Sequence, residues 1–149
     1  YRQWVVSKIA FIKQYKSVKA VVMSSVVPEL SPVVKIKFTI PVLEVSADID
    51  LGIKIKYRYP KQVGADRLAN AAACKYIYGG PAVIVDFGTA VTIDAVSSSG
   101  DYLGGIILPG MDIARKGLAL NTALLPLVPM KHPKKILGRD TKTAIQSGL

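Results

Sequence analysis

Val83 to Gly105, reading VIVDFGTAVTIDAVSSSGDYLGG, is the stretch on which the reading of this chain turns. The β-branched run Val83, Ile84, Val85 predicts a buried strand, and Asp86 follows at its end, where a charge is costly unless it leaves the core or meets a cation. Gly88 can take backbone angles closed to other residues and lets a ligand approach the main chain, while Thr89 adds a hydroxyl and an N–H beside it. Val91, Ile93 and Ala95 then predict an alternating strand, and Ser97 to Gly100 supplies turn residues. An acid, a hydroxyl and glycines on one tight turn between two apolar strands is a pattern suited to cradling phosphate.

Working outward, Ala65 to Tyr78 reads as an alanine-rich helix that stops at Gly79 and Gly80, with Pro60 to Gly64 as the loop before it. Asp66 therefore falls in the first helical turn, where an acid has an ordinary structural use: it satisfies free N–H groups and favours the positive end of the helix dipole. Downstream, Tyr102 to Leu108 predicts a strand leading to Pro109 and Gly110, then a helix from Met111 to Leu120. Upstream, Val18 to Val27 reads as a buried strand entering a loop at Pro28. Short strands are expected at Lys35 to Ile40, Val42 to Val45 and Ile53 to Tyr57. Trp4, Val5, Ile9 and Ile12 recur at helical spacing and predict an amphipathic first helix.

The 149 residues are half apolar (50%), enough for one ordinary domain or part of a larger one. No apolar stretch is long enough to span a bilayer, and a soluble, cytoplasmic protein with no membrane partner is expected. One cysteine, Cys74, cannot form an internal disulfide or a metal cluster; among alanines it reads as a small buried residue. The net charge of +10 points to an anionic partner, but the lysines are scattered and not interleaved with aromatics, which argues against nucleic acid. His132, the single histidine, sits beside Pro133 in a lysine-rich loop and reads as solvated. A Walker loop, a GxGxxG turn and a Ser/His/Asp triad are all absent, and the letters DFG lack the other parts of a protein kinase.

What remains is an ordered set: SSVVPEL at Ser24 to Leu30, YRYP at Tyr57 to Pro60, GADR at Gly64 to Arg67, DFGTA at Asp86 to Ala90, YLGGIILPG at Tyr102 to Gly110, TALLP at Thr122 to Pro126 and GRDTKTAIQSG at Gly138 to Gly148. Together these resemble the type III pantothenate kinase family. The resemblance implies an α/β, ribonuclease-H-like, actin-type ATPase fold of two similar domains. Residues 1–64 would be the remainder of the first domain; residues 65–149 would be the linking helix and the start of the second.

The implied activity is transfer of the ATP γ-phosphoryl group to pantothenate, giving 4′-phosphopantothenate, the first step toward coenzyme A. Asp66 resembles the family's general base. Tyr57, Gly64 and Arg67 resemble pantothenate contacts, and Thr122 a residue reaching the substrate pocket of a partner subunit, which implies a homodimer with its pocket near the interface. Gly88, Thr89, Gly104 and Gly105 are expected at ATP, and Asp86 at a monovalent cation, potassium or ammonium, with Mg²⁺ brought by ATP. Family members open on a phosphate strand with an Asp-x-Gly-Asn-Thr turn that this chain lacks, so the resemblance implies a piece of a longer chain, inactive by itself. The alternative is a non-catalytic accessory or regulatory relative that binds nucleotide or nucleic acid.

Overall fold

The structure is a computed structural model and describes residue 8 and residues 17–149. The amphipathic helix expected around Trp4, Val5, Ile9 and Ile12 lies outside the described residues. The chain forms two compact units: the described residues up to Ile84 with Asp94–Gly104, and Val85–Ile93 with Gly105–Leu149.

The first unit opens with a β-α-β arrangement. Strands β1 (Val21–Met23) and β2 (Val42–Glu44) pair in parallel with Val21 opposite Val42 and Met23 opposite Glu44, and helix α1 (Ser31–Lys37) lies between them in sequence. Parallel strands need such a crossover. Helix α1 corrects the strand expected from Lys35 to Ile40. The alternation Lys35-Ile36-Lys37-Phe38 imitates a strand, but Pro32 in the first turn is pre-set for a helix start, and Lys35 and Lys37 in the last turn favour the dipole's negative end. Lys35 also reaches across to Glu44 at 2.5 Å. Hydrogen bonds from Lys35 and then Ser31 hold the Glu44 carboxyl below its usual range.

A 3₁₀ turn, Pro60–Gln62, delivers the chain to helix α2 (Ala65–Tyr78), which turns Arg67, Leu68, Ala71 and Cys74 inward. Leu68 and Ala71 pack with Val45, Val63, Val96 and Tyr102 into the core of this unit, and Cys74 is a buried free thiol as expected. The strand expected from Ile53 to Tyr57 is reduced to one parallel bridge, Ile55 to Tyr102, with Lys56 N–H donating to Tyr102 O at 2.8 Å.

Strands β3 (Ala82–Phe87), β4 (Ala90–Val96) and β5 (Tyr102–Pro109) form a sheet in that order. Only Gly88 and Thr89 join β3 to β4, so these neighbours run antiparallel. Two burial expectations are corrected. Val83, Val85 and Phe87 are 67%, 47% and 75% exposed, because β3 is half-covered on its Ala82/Ile84 side alone. The buried strand expected from Val18 to Val27 is the short β1, with Val22 68% exposed; on β4 the buried residues are Asp94, paired with Arg67, and Val96.

In the second unit, helix α3 (Met111–Asn121) follows β5 through Gly110, and helix α4 (Thr141–Gly148) closes the chain. Asp140 and Thr143 form a reciprocal capping box at the start of α4, which fixes where that helix begins. Val128 and Ile145 are its buried apolar residues. Strands and helices alternate with both parallel and antiparallel pairing, a mixed α/β architecture. No helix among the described residues is long and apolar enough to cross a membrane.

Candidate functional site

The expected site residues fall into two groups, one in each unit. In the first unit, Gly64 is the N-cap of α2 and supplies no side-chain cap, so the first turn keeps free N–H groups. Asp66 lies exposed on that turn with its Oδ1 accepting from the Arg67 backbone N–H at 2.8 Å. A Cβ at Gly64 would collide with that same oxygen, so the glycine of GADR makes room for the carboxylate.

Arg67 points the other way, into the unit. Its Nε donates to both oxygens of Asp94 at 3.0 and 3.1 Å, and its Nη2 to Asp94 Oδ1 at 2.5 Å. Tyr102 donates its hydroxyl to the same Oδ1 at 2.8 Å. Hydrogen bonding to Asp94 raises the pKa of Arg67 further, against the opposing effect of burial. Burial, and then the bond to Asp94, hold the Tyr102 hydroxyl well above the ordinary tyrosine range. Tyr57 leans on Tyr102 with ring centroids 6.2 Å apart. Gly104, at φ +115°, sits under the Tyr57 ring, where a Cβ would meet ring carbons at 3.3 Å.

A cavity of about 500 Å³ opens at the carboxyl ends of β1 and β2, lined by Ser25, Glu44, Ser46, Lys61, Gly64 and Ala65 among others. The carboxyl ends of parallel strands are where open α/β sheets bind ligands. The GADR segment borders it through Gly64.

In the second unit, the Gly88–Thr89 turn packs directly on the start of α3. Gly110 N–H donates to Thr89 O at 3.0 Å, and a Cβ on Gly110 would strike the carbonyl oxygens of Gly88 and Thr89. Gly110 is also the N-cap of α3 and leaves its first turn uncapped by any side chain. Carbonyl oxygens of the turn thus face the start of α3, and the Gly88 N–H is spent on Ala90 O at 3.0 Å. Gly88 itself does not use the left-handed backbone expected of it, and its missing Cβ would meet only Ala90 O at 3.4 Å. The demanding glycines of this region are Gly104, by its backbone angle, and Gly110, by close packing.

Asp86 stands partly exposed on β3, one residue before the strand's end, and Gly105 is exposed on β5. Thr122 closes α3: its hydroxyl donates to Leu118 O at 2.7 Å and accepts from Leu125 N–H at 3.2 Å. A second cavity, about 510 Å³, is ringed by Lys131, Lys134, Lys135, Arg139 and Lys142, with the exposed His132 on its wall. Its one acid, Asp140, is committed to the α4 cap. Among the described residues no group of three or more His, Cys, Asp or Glu could hold a metal ion.

The structure thus brings Tyr57, Gly64, Asp66 and Arg67 together with Gly104 in one unit, and Gly88 and Thr89 with Gly110 in the other. Asp94, Tyr102 and Gly110 are the functional candidates that motif reading passed over. Asp94 had a signal: an acid inside an otherwise apolar strand needs a buried cation as partner.

These features define an α/β protein with a glycine turn packed on one helix start and an acid–arginine pair on another. The chain belongs to the type III pantothenate kinase family, whose sequence profile matches residues 2–149. It is 41% identical over 138 residues to the type III pantothenate kinase of Moorella thermoacetica, covering 90% of this chain and 54% of that protein. The Koribacter versatilis protein of the same name is 42% identical over 138 residues, 90% of this chain and 50% of the relative. A Dehalococcoides mccartyi counterpart is 44% identical over 133 residues, 87% and 51% respectively. The chain spans about half the length of the curated relatives it matches. A solved structure from Campylobacter jejuni, described as belonging to the Baf family of transcriptional activators, shares the fold at TM-score 0.58 and 24% identity, covering 95% of this chain and 63% of that one.

Proposed function

We propose that the protein containing this chain transfers the γ-phosphoryl group of ATP to the hydroxyl of pantothenate, giving 4′-phosphopantothenate. The observation that carries the reading is the GADR geometry in a chain of this family: an exposed carboxylate on an uncapped helix turn, with the next residue's guanidinium anchored by a buried acid. In this reading Asp66 accepts the proton of the attacking hydroxyl, while Tyr57, Gly64 and Arg67 hold pantothenate. Phosphoryl transfer asks mainly for positioning and for neutralisation of charge on the phosphate oxygens. In this reading Thr89 and the start of α3 supply donors to the phosphates, Gly88 lets the nucleotide approach the main chain, and Gly104 and Gly105 are assigned to the nucleotide side.

The donor set fits a monovalent cation. Asp86 offers hard carboxylate oxygens beside a turn rich in backbone carbonyls, and the described residues hold no side-chain cluster suited to a resident divalent ion. Potassium or ammonium held there would offset phosphate charge, and Mg²⁺ would arrive with ATP as part of the substrate. The fold assignment proposed with this activity is the two-domain, ribonuclease-H-like, actin-type ATPase, with residues 1–64 in the first domain and 65–149 as linking helix and start of the second. The chain then represents part of the enzyme, which acts as a homodimer in the cytoplasm. In this reading Thr122, whose hydroxyl donates to Leu118 O, reaches the neighbouring subunit's pocket.

The test is ADP release by the full-length protein with ATP, Mg²⁺ and potassium. Pantothenate should be required, and exchanging potassium for sodium should lower the rate at least tenfold. A rate indifferent to the monovalent cation would remove Asp86 from the scheme. One observation favours the second reading, a non-catalytic nucleotide- or nucleic-acid-binding relative: the cation-ringed cavity at Lys131–Lys142. A salt-dependent gel shift without turnover would support it.

A further inference from the structure

We infer that Asp94 and Tyr102 are positioning residues that fix one edge of the Arg67 guanidinium so that its other edge is held out to an anionic group of the substrate. This rests on the proposed kinase reading and adds to it the source of Arg67's orientation.

Asp94, Tyr102 and Arg67 are 1%, 0% and 5% exposed. A buried ion pair is a weak device for stability, because apolar residues of the same volume commonly serve as well. Its geometry is informative. Asp94 takes the Nε and Nη2 edge of Arg67 through three N–H bonds, and Tyr102 fastens Asp94 Oδ1 by a fourth. Nη1 makes no hydrogen bond to any described residue. A guanidinium held on one edge, with the other edge uncommitted to the described residues, is arranged to take a carboxylate or phosphate oxygen.

The same strands support the second proposed substrate contact. Tyr102 carries the Tyr57 ring, and Gly104 leaves the space that ring fills. The Arg67 guanidinium carbon lies 5.8 Å from the Tyr102 ring centroid, so one tyrosine braces both groups. In the proposed reaction the anionic group is the carboxylate of pantothenate.

The experiment is steady-state kinetics on full-length wild type, Asp94→Asn, Tyr102→Phe, Arg67→Lys and the Arg67→Lys/Asp94→Asn double variant, each checked for folding by thermal melt. Asp94→Asn should raise KM for pantothenate at least tenfold, while kcat and KM for ATP stay within threefold. Tyr102→Phe, which removes one bond, should raise the same KM two- to fivefold. In the Arg67→Lys background the Asp94→Asn effect should shrink below twofold, since residues acting through one another are not additive. If Asp94→Asn does not fold, the Tyr102→Phe change measured with and without Arg67→Lys decides the matter on the same criteria. Wild-type turnover with an unchanged pantothenate KM in the variants, a loss shared equally by kcat and both KM values, or an undiminished effect in the Arg67→Lys background would overturn the positioning role and leave the kinase reading standing. No pantothenate-dependent turnover by wild type would overturn both.

Discussion

Asp66 carries the largest chemical demand in the proposed reaction, and its surroundings leave it open to meet it. It is exposed, its Oδ1 accepts from the Arg67 backbone N–H, and Gly64 clears the space around that oxygen. Asp66→Asn preserves the shape and the helix-start hydrogen bond but cannot take a proton. Turnover should fall by about 10²- to 10⁴-fold, the usual worth of a general base, with KM for pantothenate changed by less than threefold. Tyr102 makes a prediction in pH. Its hydroxyl keeps its proton in the folded chain above the ordinary tyrosine value of about 10, whereas the unfolded chain gives that proton up near 10. Folding stability is therefore complete below about pH 10 and falls as pH rises beyond it, because the unfolded state then binds fewer protons. Urea melts at pH 9 and pH 11 should show a loss that is smaller in Tyr102→Phe.

At the scale of elements, the β3–β4 turn and the start of α3 act as one part because Gly110 lets them touch. Gly110→Ala should force the Gly88 and Thr89 carbonyls away, costing about 1–3 kcal/mol as an overpacked contact and raising KM for ATP several-fold with little change for pantothenate. Equal effects on both substrates would argue that the turn does not serve the nucleotide. Truncating Leu68, fully buried on α2, should cost about 2–5 kcal/mol in a denaturant melt. Elements whose local signals agree were legible in the sequence. Helix α2 has alanines and a glycine stop, and β3, β4 and α3 have their punctuation at Gly88, Ser97 to Gly100 and Gly110. Helix α1 was not, because alternating Lys and Ile mimic a strand while Pro32 and the pairing of β1 with β2 decide otherwise. Asp66 and Arg67 were legible as motif letters; an acid at Asp94 in an apolar strand signals a buried partner, but that the partner is Arg67, 27 positions away, was not legible. Gly104 and Gly110 were visible as glycines; that Tyr57 and two carbonyls fill their missing side chains is knowable only in three dimensions.

At the scale of the whole molecule, the chain exposes large apolar side chains on several elements, Val83 and Phe87 on β3, Ile106 and Ile107 on β5, Tyr78 on α2 and Leu124 after α3. Such surface in contact with water promotes association. The 149-residue chain by itself should scatter light in a concentration-dependent way despite its charge of +10, and remaining monomeric at high concentration would contradict this. The charge fits an enzyme of phosphorylated substrates as well as a nucleic-acid binder, so it cannot choose between the two readings. The direct test of the kinase reading is a mass-resolved assay of the full-length protein incubated with ATP, Mg²⁺, potassium and pantothenate. The account predicts 4′-phosphopantothenate formed in step with ADP. ADP without the phosphorylated product, or neither from a correctly folded protein, would contradict it.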